Sequence, residues 1–158
     1  MGSLDYKRAE NAVFRAEHAE SAEQKKVFYQ RAVRLYKRAA EFFVSSRRKD
    51  KEALCYLKAA RAARKSGDSQ EAMDDFGKAA QMFEDEAGDK MEYTREERAS
   101  FLRSASGAYS RMHDIDPGQE GLEDRSKELS ERANSLEKAA KAAEERMAGS
   151  RKTRRAFK

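Results

Sequence analysis

Residues 76–83 read FGKAAQMF, and two relatives stand upstream: YKRAAEFF at 36–43 and YLKAARAA at 56–63. In each, an aromatic is followed by a basic residue and a pair of alanines, at a fixed step of 20 residues. A line repeated at constant period marks a unit that cannot bury its apolar face alone and does so by stacking on the next copy. The aromatic fills space, and the alanine pair leaves room for a neighbour's ring. Each of the three copies sits within one helical stripe, so the pattern predicts antiparallel helices stacked in order.

Working outward, helix starts are marked by side chains able to accept the orphan N–H groups of a first turn. Ser21 with Gln24, Asp68 with Glu71 and Thr94 with Glu97 have capping-box spacing. Asp116 before Pro117 reads as a further start, because Pro has no N–H to leave unpaired. Gly67 and Gly88 read as left-handed stops. Six helices follow, over about 4–20, 22–47, 51–66, 69–87, 95–113 and 118–147.

Apolar residues recur at 3.6-residue spacing in them. The second helix offers Phe28, Ala32, Leu35, Tyr36, Ala39, Phe42 and Phe43, the fourth Ala72, Met73, Phe76, Ala79, Ala80 and Phe83. In the last helix Leu122, Leu129, Leu136 and Ala143 recur every seven residues, a seam that suits either a cap on the stack or a homodimer. The expected fold is therefore all-α: an antiparallel helical-hairpin repeat stack, a tetratricopeptide-like α-solenoid closed by a long C-terminal helix. Residues 1–149 form one domain, with core repeats at about 21–113, and 150–158 form a disordered basic tail.

Composition agrees. Charged residues make up 40% of the chain against an ordinary ~25%, there is a single Pro, and helix formers dominate. One Cys makes no internal disulfide, no window is apolar enough to span a membrane, and no basic-then-apolar leader opens the chain. These features predict a cytoplasmic protein.

The net charge of +5 hides a segregation. Residues 21–65 carry 14 basic and 4 acidic residues, whereas 66–97 carry 3 basic and 11 acidic. Cations on the second and third helices can form one positive face on neighbours about 8–10 Å apart, and such a face steers acidic partners. Its candidate docking residues are Arg34, Lys37, Arg38, Lys58, Arg61 and Arg64. Pairing with the adjacent acidic helix would neutralise part of it. The tail SRKTRRAFK, with Arg151, Lys152, Arg154 and Arg155, is a candidate contact for nucleic-acid or anionic-lipid phosphates, a localisation signal or a solubilising end.

Nothing points to chemistry. His18 and His113 are far apart, Cys55 lies beside core residues, no His/Cys group has zinc spacing and no Gly-rich loop cradles phosphate. DIDPGQEGLED at 114–124 lacks the acidic periodicity of a calcium loop. The sequence predicts no enzyme, no metal and no cofactor.

Residues 53–83, ALCYLKAARAARKSGDSQEAMDDFGKAAQMF, resemble a tetratricopeptide repeat in the SGDSQEA turn, Ala72, Phe76 and the KAA of the second helix. The hairpin period exceeds the 34 residues of that repeat, and no Trp is present. The longer, Ala- and Tyr-rich hairpins are similar to the SNAP adaptors of membrane fusion. Residues 4–66, with AVRLYKRAAEFF at 32–43, also resemble a microtubule-interacting-and-trafficking domain. These resemblances imply an adaptor or scaffold, in membrane trafficking for SNAP, that docks another protein's acidic helix or extended segment. The alternative from another class is a nucleic-acid or membrane-surface binder using the tail and the basic helices.

Overall fold

A computed structural model describes the backbone of residues 3–156 and the side chains of residues 3–149. Six helices follow one another: α1 (Leu4–Glu17), α2 (Ala22–Ser45), α3 (Lys49–Ser66), α4 (Ser69–Gly88), α5 (Arg95–Ile115) and α6 (Leu122–Ala156). Each packs chiefly on its predecessor and successor. Connections at 18–21, 46–48, 67–68, 89–94 and 116–121 are too short for anything but antiparallel neighbours. Ion pairs tie helices two apart: Lys58 to Glu10 and Lys65 to Glu17 join α3 to α1 in ascending order, so those helices run parallel. The stack thus has an odd layer, α1, α3 and α5, and an even layer, α2, α4 and α6.

The recurrent motif lies at the centre of this packing. Ala39, Ala40, Ala59, Ala60, Ala79 and Ala80 are all fully buried, with Tyr36 and Phe76 beside them. Lys78 lies 3.9 Å from the ring centre of the half-buried Tyr56 and donates to its hydroxyl, so the third aromatic is also held. Helix α3 has neighbours on both sides and buries Ala53, Leu57, Ala60 and Ala63 together with Ala59 and Ala62. Phe42, part of the expected α2 stripe, is instead exposed at the hairpin tip.

The caps hold with differing completeness. Thr94 and Glu97 form a full capping box, while Ser21 and Asp68 each accept one backbone N–H without the reciprocal bond. Gly67 ends α3 in the left-handed conformation, φ 89°. Gly88 does not: it closes α4 in helical geometry, and Asp89 then turns the chain by accepting from the N–H groups of Met91 and Glu92.

The expected start at Asp116 is likewise replaced by a turn. Asp116 accepts from the Gly118 N–H, as an Asx turn does, and α6 begins only after Gly121, φ 81°, whose carbonyl takes the Arg125 N–H. At its other end α6 continues to Ala156, past the expected end near 147, so the backbone of 150–156 is helical where composition predicts disorder. Extension of a helix already nucleated costs little for Arg, Lys and Ala.

Candidate functional site

Four of the six candidate docking cations face carboxylates within the fold. Lys37 turns towards α4, donating to Glu71 at 2.8 Å and standing 3.1 Å from Asp75. Arg38 pairs with Asp5 of α1 at 3.4 Å, Lys58 with Glu10 at 2.7 Å and Arg64 with Asp114 of α5 at 3.8 Å. Arg34 is exposed on α2 and has no ion pair among the described residues. Arg61 has none either, and it lies elsewhere, on the odd layer. Lys37 thus turns to α4 and Arg64 to α5, while Arg38 of α2 and Lys58 of α3 both meet α1. Arg151, Lys152, Arg154 and Arg155 lie outside the residues whose side chains are described.

The acidic block is the counterpart of this pairing. Glu71 and Asp75 serve Lys37 on α2, Glu84 serves Arg125 on α6, and Glu86 accepts from Tyr93 at 2.6 Å. Charge segregated along the chain becomes opposite charge across the even layer.

On the odd layer the helices flank a groove of about 590 Å³. Tyr29 and Tyr36 of α2 and Phe76 of α4 form its floor, Glu10 and Val13 come from α1, Lys58, Arg61 and Lys65 from α3, and Arg111 from α5. Burial works against the Glu10 charge, but Lys58 and then the Tyr36 hydroxyl outweigh it and hold the carboxyl below its ordinary range. Lys58 also lies 5.1 Å from the Tyr6 ring centre, and Lys65 5.4 Å from that of Tyr29. Both lysines are thus fixed by a carboxylate on one side and a ring on the other.

Between these two rungs the pattern changes. Glu10 faces Lys58 and Glu17 faces Lys65, seven residues on in each helix, but the intermediate level carries Val13 on α1 and Arg61 on α3. Across the other side, Arg64 meets Asp114; three residues earlier in each helix the same register sets Arg61 against Arg111. Although Arg61 as a residue is exposed, partial desolvation of its guanidinium in the groove, and then the Arg111 guanidinium, hold its pKa below the ordinary arginine value. Among the described residues Arg111 bonds back to the Gly107 carbonyl of its own helix, at 3.5 Å. Two guanidinium groups thus share a groove, and among the described residues neither pairs with a carboxylate.

Sequence reading named Arg61 but missed Arg111, since α5 lies outside the basic block. The signal was the equal offset of Arg61/Arg64 and Arg111/Asp114, legible only once α3 and α5 are known to be parallel neighbours. A second, smaller groove at the start of the stack is lined by Lys7, Arg8, Arg15 and Arg31 with Asn11 and Phe28.

Other candidate features are structural. Cys55 is fully buried, and burial pushes its thiol up to about 12. Leu122 and Leu129 of the α6 seam lie inside the common core, so those positions face the stack. Among the described residues no helix is long and apolar enough to cross a membrane.

No protein-family model matches the chain, and no curated protein is similar to it. Among solved structures it is similar to the "DHF58 filament", with 18% identity and a TM-score of 0.51 over 90% of this chain and 70% of that one. At that identity the likeness speaks to the fold alone.

Proposed function

We propose that the protein is a non-enzymatic recognition module, a tetratricopeptide-like or SNAP-like adaptor that docks an acidic segment of a partner protein in the odd-layer groove. The observation that carries this reading is the meeting of Arg61 and Arg111 in a groove whose neighbouring rungs, Glu10 with Lys58, Glu17 with Lys65 and Asp114 with Arg64, are opposite-charge pairs. Two cations with no ion-pair partner among the described residues give the groove a positive potential that attracts and orients an acidic segment. A cytoplasmic place, resting on the single Cys and the lack of an apolar span, and a role in membrane trafficking, resting on the sequence resemblance, are part of the same proposal.

The test is partner capture by the full chain at moderate salt, compared with Arg61→Glu/Arg111→Glu and with Arg34→Glu. The groove reading expects loss with the double reversal and retention with Arg34→Glu. Loss with Arg34→Glu alone moves docking to the outer face of α2.

A second reading, a phosphate-backbone or anionic-surface binder, is favoured by the four cations of the smaller groove, whose lining includes no acid. It expects binding to RNA or anionic vesicles that falls steeply with salt and is lost on Lys7→Glu/Arg15→Glu.

A further inference from the structure

The Arg61/Arg111 meeting allows the docked group to be specified further. Three carboxylates stand near it, and each faces another cation: Glu10 accepts from Tyr36 and Lys58, Glu17 from Lys65, and Asp114 lies 3.8 Å from Arg64. The position on α1 that would supply a fourth is the apolar Val13. Arg61 is exposed and Arg111 half-buried, so both can be reached from solvent. Two positive charges unpaired among the described residues ask for two negative ones. A single carboxylate carries one charge and two oxygens, which one guanidinium fork can occupy fully. A phosphomonoester carries about −1.5 to −2 at neutral pH and three free oxygens, sufficient for two forks at once.

We propose that Arg61 and Arg111 form a clamp for a phosphomonoester dianion, and that the partner segment docked in the groove is phosphorylated on the side chain that enters it. The inference rests on the groove-docking reading for its biological partner, but the clamp itself is testable without one. The phosphate lies between α3 and α5, and the carbon chain bearing it lies over Val13 and the lysine stems that border the aromatic floor. Lys58 and Lys65 stay with their carboxylates and rings and add only a diffuse positive field.

The probe is phenyl phosphate, titrated at constant ionic strength into the full-length protein while the arginine Nε–H resonances are followed, with benzoate as the monoanionic counterpart. Expected is a saturable shift confined to Arg61 and Arg111 and their neighbours. Affinity should fall about tenfold in Arg61→Gln and in Arg111→Gln, the scale of one charge-assisted hydrogen bond. Arg61→Lys retains the charge and loses the fork, so it should lie between wild type and Gln. Because Arg61→Gln relieves a repulsion, its melting temperature should not fall, which separates lost binding from lost folding.

Benzoate binding as tightly as phenyl phosphate overturns the phosphate clamp, while partner capture sensitive to the double charge reversal would keep the docking reading. Shifts spread over arginines throughout the chain without saturation also overturn the clamp. Phenyl phosphate binding by the clamp, with partner capture indifferent to the double reversal, keeps the clamp and removes the docking reading.

Discussion

The even and odd layers of the stack use charge in opposite ways. In α2, α4 and α6 the ions are drawn inward: Asp75 is 4% exposed and Glu86 7%, and Lys37 and Arg125 reach across to α4 from either side. In α1, α3 and α5 the rungs lie open at the groove, with Lys65 and Glu17 each about half exposed. Buried partners cannot be removed singly without leaving an uncompensated charge, whereas exposed partners are solvated when separated. The even layer therefore fixes the register of the helices, and the odd layer remains free to hold an unbalanced pair.

The sharpest way to break this distinction is Lys37→Met. It leaves Asp75 and Glu71 without their cation, and stability should fall by about 2 to 3 kcal/mol, less than for a fully buried pair because Lys37 is partly solvated. Urea denaturation reads it, and an unchanged midpoint would show that the even-layer ions are no more structural than the odd. Arg125→Met, which strands the nearly buried Glu84, should cost about 1 to 2 kcal/mol and loosen α6 first, visible as faster amide exchange in 122–140.

Asp75→Asn runs in the other direction. Burial raises the Asp75 pKa and Lys37 recovers only part of the cost. At Lys37 burial works to lower the pKa, and Glu71 with Asp75 reverses it to a raised value. For an acid whose folded pKa is raised, the native state binds the proton more tightly. Its contribution to stability is thus largest at low pH and declines as pH rises from the unfolded value, near 3.8, through the folded one. Removing the charge while Glu71 still holds Lys37 should raise stability at pH 7 and flatten the stability profile across that window. A loss at pH 7 would mean that the Asp75 charge is needed to hold Lys37.

These contrasts also mark where sequence reading succeeded. The step of 20 that relates Tyr36, Tyr56 and Phe76 identified stacked helices, because burial imposes the same aromatic-and-alanine line on each copy. Caps were legible at Thr94 and Gly67, where one side chain or one left-handed residue decides the geometry. Asp116 and Pro117 misled because the same residues begin helices and make turns, and the start was decided by Gly121 further on. Ala9, Ala12 and Ala16 form the buried face of α1, and Ala59 and Ala62 a second buried face of α3, neither of which hydropathy alone separates from solvent-facing alanine. For the site, composition found the cations but not their partners, since pairing across i and i+2 helices depends on a register that no local pattern records.

The smallest expected effect bears most directly on the groove. Lys65→Met breaks the open Glu17 rung and should cost no more than about 0.5 kcal/mol, because both partners are solvated when apart. If one favourable rung contributes so little, one unfavourable rung at Arg61/Arg111 withdraws a similar amount. An odd layer built from weak, exposed pairs can then tolerate a like-charge site with almost no penalty to folding. Were Lys65→Met instead to cost as much as Lys37→Met, the odd layer would be structural, and the Arg61/Arg111 repulsion would have to be offset elsewhere in the stack.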